Sequence, residues 1–223
     1  MAACLLFESD FIMQKYNTAD ILAMEQRYRA AFINSLGGFK SGVLVGTADK
    51  NGNTNLAIFN SLFHLGANPA LCGLIIRPDS VARHTYENIL DTGSYTINHI
   101  HEGIYKQAHQ TSARYDRDRS EFNETGLTEH YENGIVAPFV AESKVRFALE
   151  FAECHELKIN GTILMIGKII KVMLPDDCVL PDGFIDIERA GTITVSGLDS
   201  YHTTNRLSRL SYAKPDVALT EVS

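Results

Sequence analysis

The chain has 223 residues, 45% hydrophobic and 21% charged, enough apolar material for one core without disulfides or a structural metal. A formal net charge of −7 lacks the basic excess of a general nucleic-acid binder, and no apolar run is long enough to cross a bilayer. The start, Met1-Ala-Ala-Cys-Leu-Leu-Phe, has no basic segment ahead of it and meets Glu8 and Asp10 at once; it reads as neither a secretion nor a lipoprotein signal, and the expected compartment is the cytoplasm.

Taken in order, residues 18–36 read as a helix: Thr18 suits a cap, and Ile21, Leu22, Tyr28, Phe32 and Leu36 recur at helical spacing before Gly37-Gly38 stops it. Val43–Thr47 reads as a buried strand and Asp49–Asn53 as a tight turn, with Asn51-Gly52 supplying positive φ angles. A second strand is expected from Thr54 through Leu65; its mixed interior implies one polar side. Asn68-Pro69 breaks the chain, and Leu71–Ile76 is a third strand. Ser80 is expected to open a helix to about Leu90, stopped by Gly93. Tyr95–Asn98 is a fourth strand. Residues 101–133 form a polar insert of loops and one or two short helices. Long strands follow over Val145–Phe151 and Gly161–Val172, then a loop from Pro175 to Pro181. Ile193–Val195 is read as the last short strand, and the tail from about Leu210 as extended.

Strands that do not alternate with helices argue against a doubly wound parallel sheet. Hairpins and long strands favour a mostly β, antiparallel barrel with helical additions, in a single domain spanning 1–223. Cys4, Cys72, Cys154 and Cys178 make no Cys-x-x-Cys pair and are expected as free thiols in the core.

The sequence has no Gly-x-Gly-x-x-Gly after a strand, no P-loop, no His-Glu-x-x-His and no Gly-x-Ser-x-Gly. The segment Arg77-Pro78-Asp79-Ser80-Val81-Ala82-Arg83-His84-Thr85 joins a buried strand to a helix. Unpaired N–H groups at the helix start, the charges of Arg77 and Arg83 and the hydroxyls of Ser80 and Thr85 suit a phosphate. A plain helix cap beside solvated arginines is the alternative. Along the preceding strand Asn55, Ala57, Asn60 and Ser61 offer an edge for a flat heteroaromatic ligand, or else a solvated face. His99-x-His101 with His109 has metal-ligand spacing but no convincing carboxylate or cysteine partner, so no metal is expected.

Several segments in order resemble the flavin reductase-like proteins with an FMN-binding split barrel, flavoredoxin among them. They are Gly38-Phe39-Lys40-Ser41, Asp49–Asn55, Asn60-Ser61 with Asn68-Pro69, Arg77–Ser80 with Arg83-His84-Thr85, and Gly93–Asn98. Ala108–Tyr115 and Tyr212–Pro215 look like the flavoredoxin branch. The resemblance spans roughly residues 35–200. It implies an antiparallel split β-barrel and a homodimer holding FMN near the subunit interface. Arg77, Ser80, Arg83, His84 and Thr85 would take the phosphate; Asn55, Ala57, Asn60 and Ser61 the ring and ribityl chain; Lys40 and Ser41 are weaker additions. It implies NADH or NADPH as electron donor, and a monooxygenase, free flavin or another acceptor downstream, with no catalytic acid or base named. Tyr201 and His202 lie in a stretch that would approach the flavin. Many relatives have Asp-Pro-Pro where this chain has Asn68-Pro69-Ala70, and often serine in place of Asn60. An FMN-dependent oxidase of the pyridoxamine phosphate oxidase-like type, a non-enzymatic electron carrier and a flavin-free interaction module are the other readings.

Overall fold

A computed structural model describes residues 12–78 and 81–222. It opens with two helices, α1 (Thr18–Ala23) and α2 (Gln26–Leu36), where one was expected. Asn17, not Thr18, caps α1, accepting the Ala19 and Asp20 N–H groups while the Asp20 carboxylate accepts from the Asn17 N–H. Met24 then turns extended, and the Glu25 side chain accepts the Arg27 and Tyr28 N–H groups, restarting the helix. Local capping chemistry thus divides a continuous apolar periodicity.

The strands follow: β1 (Lys40–Ser41), β2 (Val43–Ala48), β3 (Thr54–Phe59), β4 (Leu62–Ala67) and β5 (Ala70–Ile76). Helix α3 (His84–Thr92) leads to β6 (Ser94–His99); α4 (Tyr105–Gln110) and α5 (Glu121–Thr125) lie in the insert. Then come β7 (Glu129–His130), β8 (Phe139–Val140), the long pair β9 (Arg146–Leu157) and β10 (Thr162–Met173), and β11 (Thr194–Ser196) with β12 (Ser200–His202). The strand at 194–196 is therefore not the last, and the tail folds back, with Leu210 bridging Glu221. Helix α3 begins four residues later than expected, with Arg83 at its N-cap; Ser80 lies outside the described residues, as does Cys4. Cys72 and Cys178 are buried free thiols and Cys154 is half-buried.

The main sheet is antiparallel in the order β3-β2-β6-β9-β10-β5-β4. Its inner face buries Val43, Val45, Leu74, Ile76, Ile97, Leu149 and Met165 with Ile89 of α3. Phe59 from one edge strand and Leu62 from the other pack on this same cluster. The two edges therefore curl toward each other, and Asn60-Ser61 carries the chain between them. That is why the long strand expected over 54–65 is broken there. The seam is tied by Ser61 Oγ donating to Ile75 O (2.8 Å) and Ser41 Oγ donating to Leu62 O (2.9 Å). β1, β11 and β12 form a separate small sheet. This is a single-domain, antiparallel split barrel.

The outer face of β2 and β3 builds a second core. Leu44, Leu56 and Ile58 pack with Ile104 and Ala108 around α4, Phe122 of α5, and Leu127. Side chains alternate along a strand, so β3 sends Leu56 and Ile58 into this core while Asn55, Ala57 and Phe59 face the other way. The insert, polar in composition, is thus the cover of a second apolar layer. Gly46 is demanded by close approach: a Cβ there would meet Pro138 O at 2.2 Å. The β2–β3 loop has one positive φ, at Gly52 (86°), with Asp49 N–H donating to Asn53 O and Gly52 N–H to Asp49 O. It is a three-residue loop closed by a left-handed glycine rather than the two-residue turn that Asn-Gly signals. Among the described residues no helix is long and apolar enough to cross a membrane.

Candidate functional site

Strand β5 ends at Ile76 and delivers Arg77, exposed, ahead of α3. No side chain hydrogen-bonds the N-terminus of α3 from its N-cap, Arg83, unlike α1 and α2, which have their own caps. The positive end of its dipole favours an anion there. The Arg83 guanidinium is positioned by Nε donating to Pro78 O (3.1 Å). Burial lowers its proton affinity, and the neighbouring Arg77 and Arg114 charges lower it further. Burial and Arg117 likewise hold His84 below the ordinary imidazole range, against a smaller opposing pull from Asp116, so its ring is neutral at pH 7. Thr85 is buried, and its Oγ1 accepts from Asn55 Nδ2 (3.0 Å); Asn55 Nδ2 lies 3.4 Å from Thr47 Oγ1. Arg77, Arg83, His84 and Thr85 thus gather around one helix start, and Asn55 ties β3 to it.

The other residues collect at the seam, about 16 Å further along the strand for the five steps from Asn55 to Asn60. Asn60 Nδ2 donates to Gly197 O (3.1 Å), and Lys40 Nζ reaches the same oxygen at 3.5 Å. Ser41 and Ser61 donate to backbone carbonyls, as described. Ala57 is half-buried opposite Val45. Among the described residues these groups retain capacity: Asn60 keeps one N–H and its carbonyl oxygen, Lys40 two N–H, and Ser61 its acceptor lone pairs. The arrangement suits an elongated ligand with an anionic end at α3 and a polar, planar end at the seam.

The histidine cluster separates in space. His99 Nδ1 is 3.1 Å from Thr192 Oγ1, His101 bonds Glu142 O and the Gly103 N–H, and His109 meets the Tyr201 hydroxyl at 2.8 Å. His202 Nε2 bonds Ser196 Oγ (2.8 Å) in the small sheet whose β1 carries Lys40, so it lies near the seam, whereas Tyr201 packs on the outer core. Sequence reasoning missed the carbonyl of Gly197, which has no side-chain signature.

The flavin reductase-like domain model matches residues 36–188. A candidate flavin reductase with split barrel domain from Shewanella frigidimarina NCIMB 400 is 53% identical, with a TM-score of 0.87 covering 90% of this chain and 100% of that one. Two more distant structures share the fold: nitrilotriacetate monooxygenase component B from Bacillus cereus (18% identity, TM-score 0.76, 88% and 98% covered) and flavoredoxin of Desulfovibrio vulgaris (Miyazaki F) (21%, 0.66, 81% and 93%). The domain match spans both the α3 turn and the barrel seam, and with it the chain belongs to the flavin reductase-like family.

Proposed function

We propose that the protein is an FMN-binding oxidoreductase that takes electrons from NADH or NADPH and passes them to free flavin, a monooxygenase or another acceptor. The positive end of the α3 dipole beside Arg77 and Arg83 carries the reading, because a helix start flanked by guanidinium groups is a setting that favours a phosphate monoester. Arg77, Ser80, Arg83, His84 and Thr85 hold the phosphate; Asn55 and Ala57 line the path; Asn60, Ser61, Lys40 and Ser41 meet the ribityl chain and ring. Bound flavin supplies the hydride and electron chemistry, and the protein supplies binding, orientation and a preset electrostatic field. Asn60 and Lys40 donate toward the ring end, where they stabilise negative charge that accumulates on reduction.

The reading includes a cytoplasmic homodimer. Helices α1 and α2 bury no residue within their own chain, and they expose Leu22, Tyr28, Ile33 and Leu36, while β4 exposes Phe63 and Leu65. A second copy covering these apolar faces accounts for them.

The test is the visible spectrum of purified protein after FMN is added and the excess removed, followed by NADH and NADPH oxidation assays. Near one FMN per chain with nicotinamide turnover supports the proposal; no retained flavin and no flavin-dependent turnover refutes it. Arg83→Ala should weaken FMN binding by about 1.5–3 kcal/mol, the worth of a charge-assisted hydrogen bond. Light scattering should give twice the chain mass.

A further inference from the structure

We propose that Asn55 is a positioning residue for the phosphate end of the ligand: its side-chain amide holds the Thr85 hydroxyl so that the hydroxyl proton is aimed at the phosphate. The inference rests on the FMN reading and deepens it by giving Asn55, on β3, a part in recognising the phosphorylated form of the flavin.

Thr85 is the second residue of α3 and is 6% exposed. Its Oγ1 accepts an N–H from Asn55 Nδ2 at 3.0 Å. A hydroxyl has one proton to give and two lone pairs to receive with. An oxygen that receives from Asn55 turns its own proton away from that amide. Among the described residues no acceptor takes this proton. A buried donor without an acceptor is unfavourable, and an anion at the start of α3 removes that cost. An ionised acceptor makes the bond roughly twice as strong as a neutral one. The Thr85 proton thus favours a phosphate over the neutral hydroxyl that riboflavin has in its place.

Asn55 is itself held by a buried chain of hydrogen bonds that joins the sheet, α3 and the insert. It stands opposite Thr47 in the β2–β3 register, so the two side chains share one face of the sheet. Asn55 Nδ2 and Asn88 Nδ2 both point to Thr47 Oγ1, at 3.4 and 3.2 Å. Asn88 lies one turn after Thr85 on the same side of α3. Its orientation is set from the insert: Arg117 Nη1 donates to Asn88 Oδ1 at 3.2 Å. A guanidinium only donates, so the nitrogen of the Asn88 amide is left to face Thr47. Thr47 and Asn88 are buried, so bulk water does not compete for these groups. Asn55 Nδ2 is therefore fixed with one N–H toward Thr47 and one toward Thr85. A network that served only to hold α3 on the sheet has no use for a hydroxyl at residue 85 with an unmatched proton; an apolar side chain of the same shape would fill the space.

The test is a fluorescence titration of the full-length protein with FMN and, separately, riboflavin, across a double-mutant cycle of Asn55→Ala and Thr85→Val. Arg83→Ala and Thr85→Ser are measured beside it. Thr85→Val should weaken FMN binding about 10-fold, the worth of one bond to a charged acceptor, and Thr85→Ser should recover most of the loss. Asn55→Ala should weaken FMN binding about 3- to 10-fold more than riboflavin binding. In the Thr85→Val background the same change should add less than about 2-fold. Asn55→Leu, close to isosteric and apolar, takes the place of Asn55→Ala if that variant does not melt cooperatively by circular dichroism. Losses that simply multiply in the double variant mean that Asn55 does not act through Thr85, and they overturn the proposal. An equal loss for FMN and riboflavin in Asn55→Ala marks a structural effect and also overturns it. With either result, weakened FMN binding in Arg83→Ala leaves the phosphate reading intact. If wild type binds riboflavin as tightly as FMN and Arg83→Ala changes nothing, the phosphate reading itself falls, and this inference with it.

Discussion

Removing one buried carboxylate should loosen the insert from the site strand. β3 is an edge strand of the main sheet, and its Leu56 N–H points to no neighbouring strand; Glu121 Oε2 accepts it at 2.8 Å. Glu121 is 6% exposed and Leu56 fully buried, so Glu121→Ala strands a buried donor. The expected cost is about 1–3 kcal/mol, partly offset because a desolvated charge is removed too. For a domain of this size roughly 2 kcal/mol lowers Tm by about 4–8 °C. Glu121→Gln keeps a carbonyl oxygen for Leu56 and should stay within about 2 °C of wild type at pH 7. Burial raises the Glu121 pKa above its ordinary 4.5, against the lowering by the Leu56 N–H. The folded state then holds this proton more tightly than the unfolded chain. The group's contribution is full below pH 4.5 and is lost as pH rises through the raised folded value. Glu121→Gln removes that slope, so its Tm relative to wild type should improve as pH rises from 4 toward neutrality. Thermal melts by circular dichroism across that range are the assay. Equal melting of wild type and Glu121→Ala, or Gln as damaging as Ala, would refute the reasoning.

Gly46→Ala should cost about 3 kcal/mol, since its Cβ would lie 2.2 Å from a backbone carbonyl that cannot swing away; chemical denaturation reads this directly. Leu44→Ala opens a cavity in the outer core and should cost about 2–5 kcal/mol by the same assay. Burial holds His99 down at about 4 against an ordinary 6.5, so the native ring is neutral. Its contribution to stability is present above pH 6.5 and lost as pH falls toward 4; His99→Gln should flatten that part of the pH–Tm curve.

The barrel was legible because apolar runs, Asn-Gly and Gly93 each announce themselves locally. The buried run Val43–Val45 looked like a strand covered on both faces, and the structure shows both covers: the barrel interior and the insert. What stayed hidden depends on contacts distant in sequence. Nothing near Asn60 says that the strand must stop to cross from one sheet edge to the other; that follows only when Phe59 and Leu62 share a core. The split between α1 and α2 turned on whether Glu25 would cap a new helix, a choice apolar periodicity does not report. On the site, the clustering of Arg77, Arg83, His84 and Thr85 follows from their nearness in the chain. By contrast, Asn55 bonding Thr85, and Asn60 and Lys40 sharing the Gly197 oxygen, needed the fold.

The alternation along β3 separates two kinds of evolutionary freedom. Leu56 and Ile58 answer to the packing of the insert, while Ala57, between them, answers to whatever lies on the other side. On the proposed function, ligand preference could drift at residue 57 without disturbing the layer that keeps the strand in register. A one-residue insertion anywhere in 54–59 would do the reverse, exchanging the two faces and losing packing and site together. Laboratory diversification of this barrel has a natural grain: substitutions at alternate positions run along it, and insertions or deletions in the strand run across it.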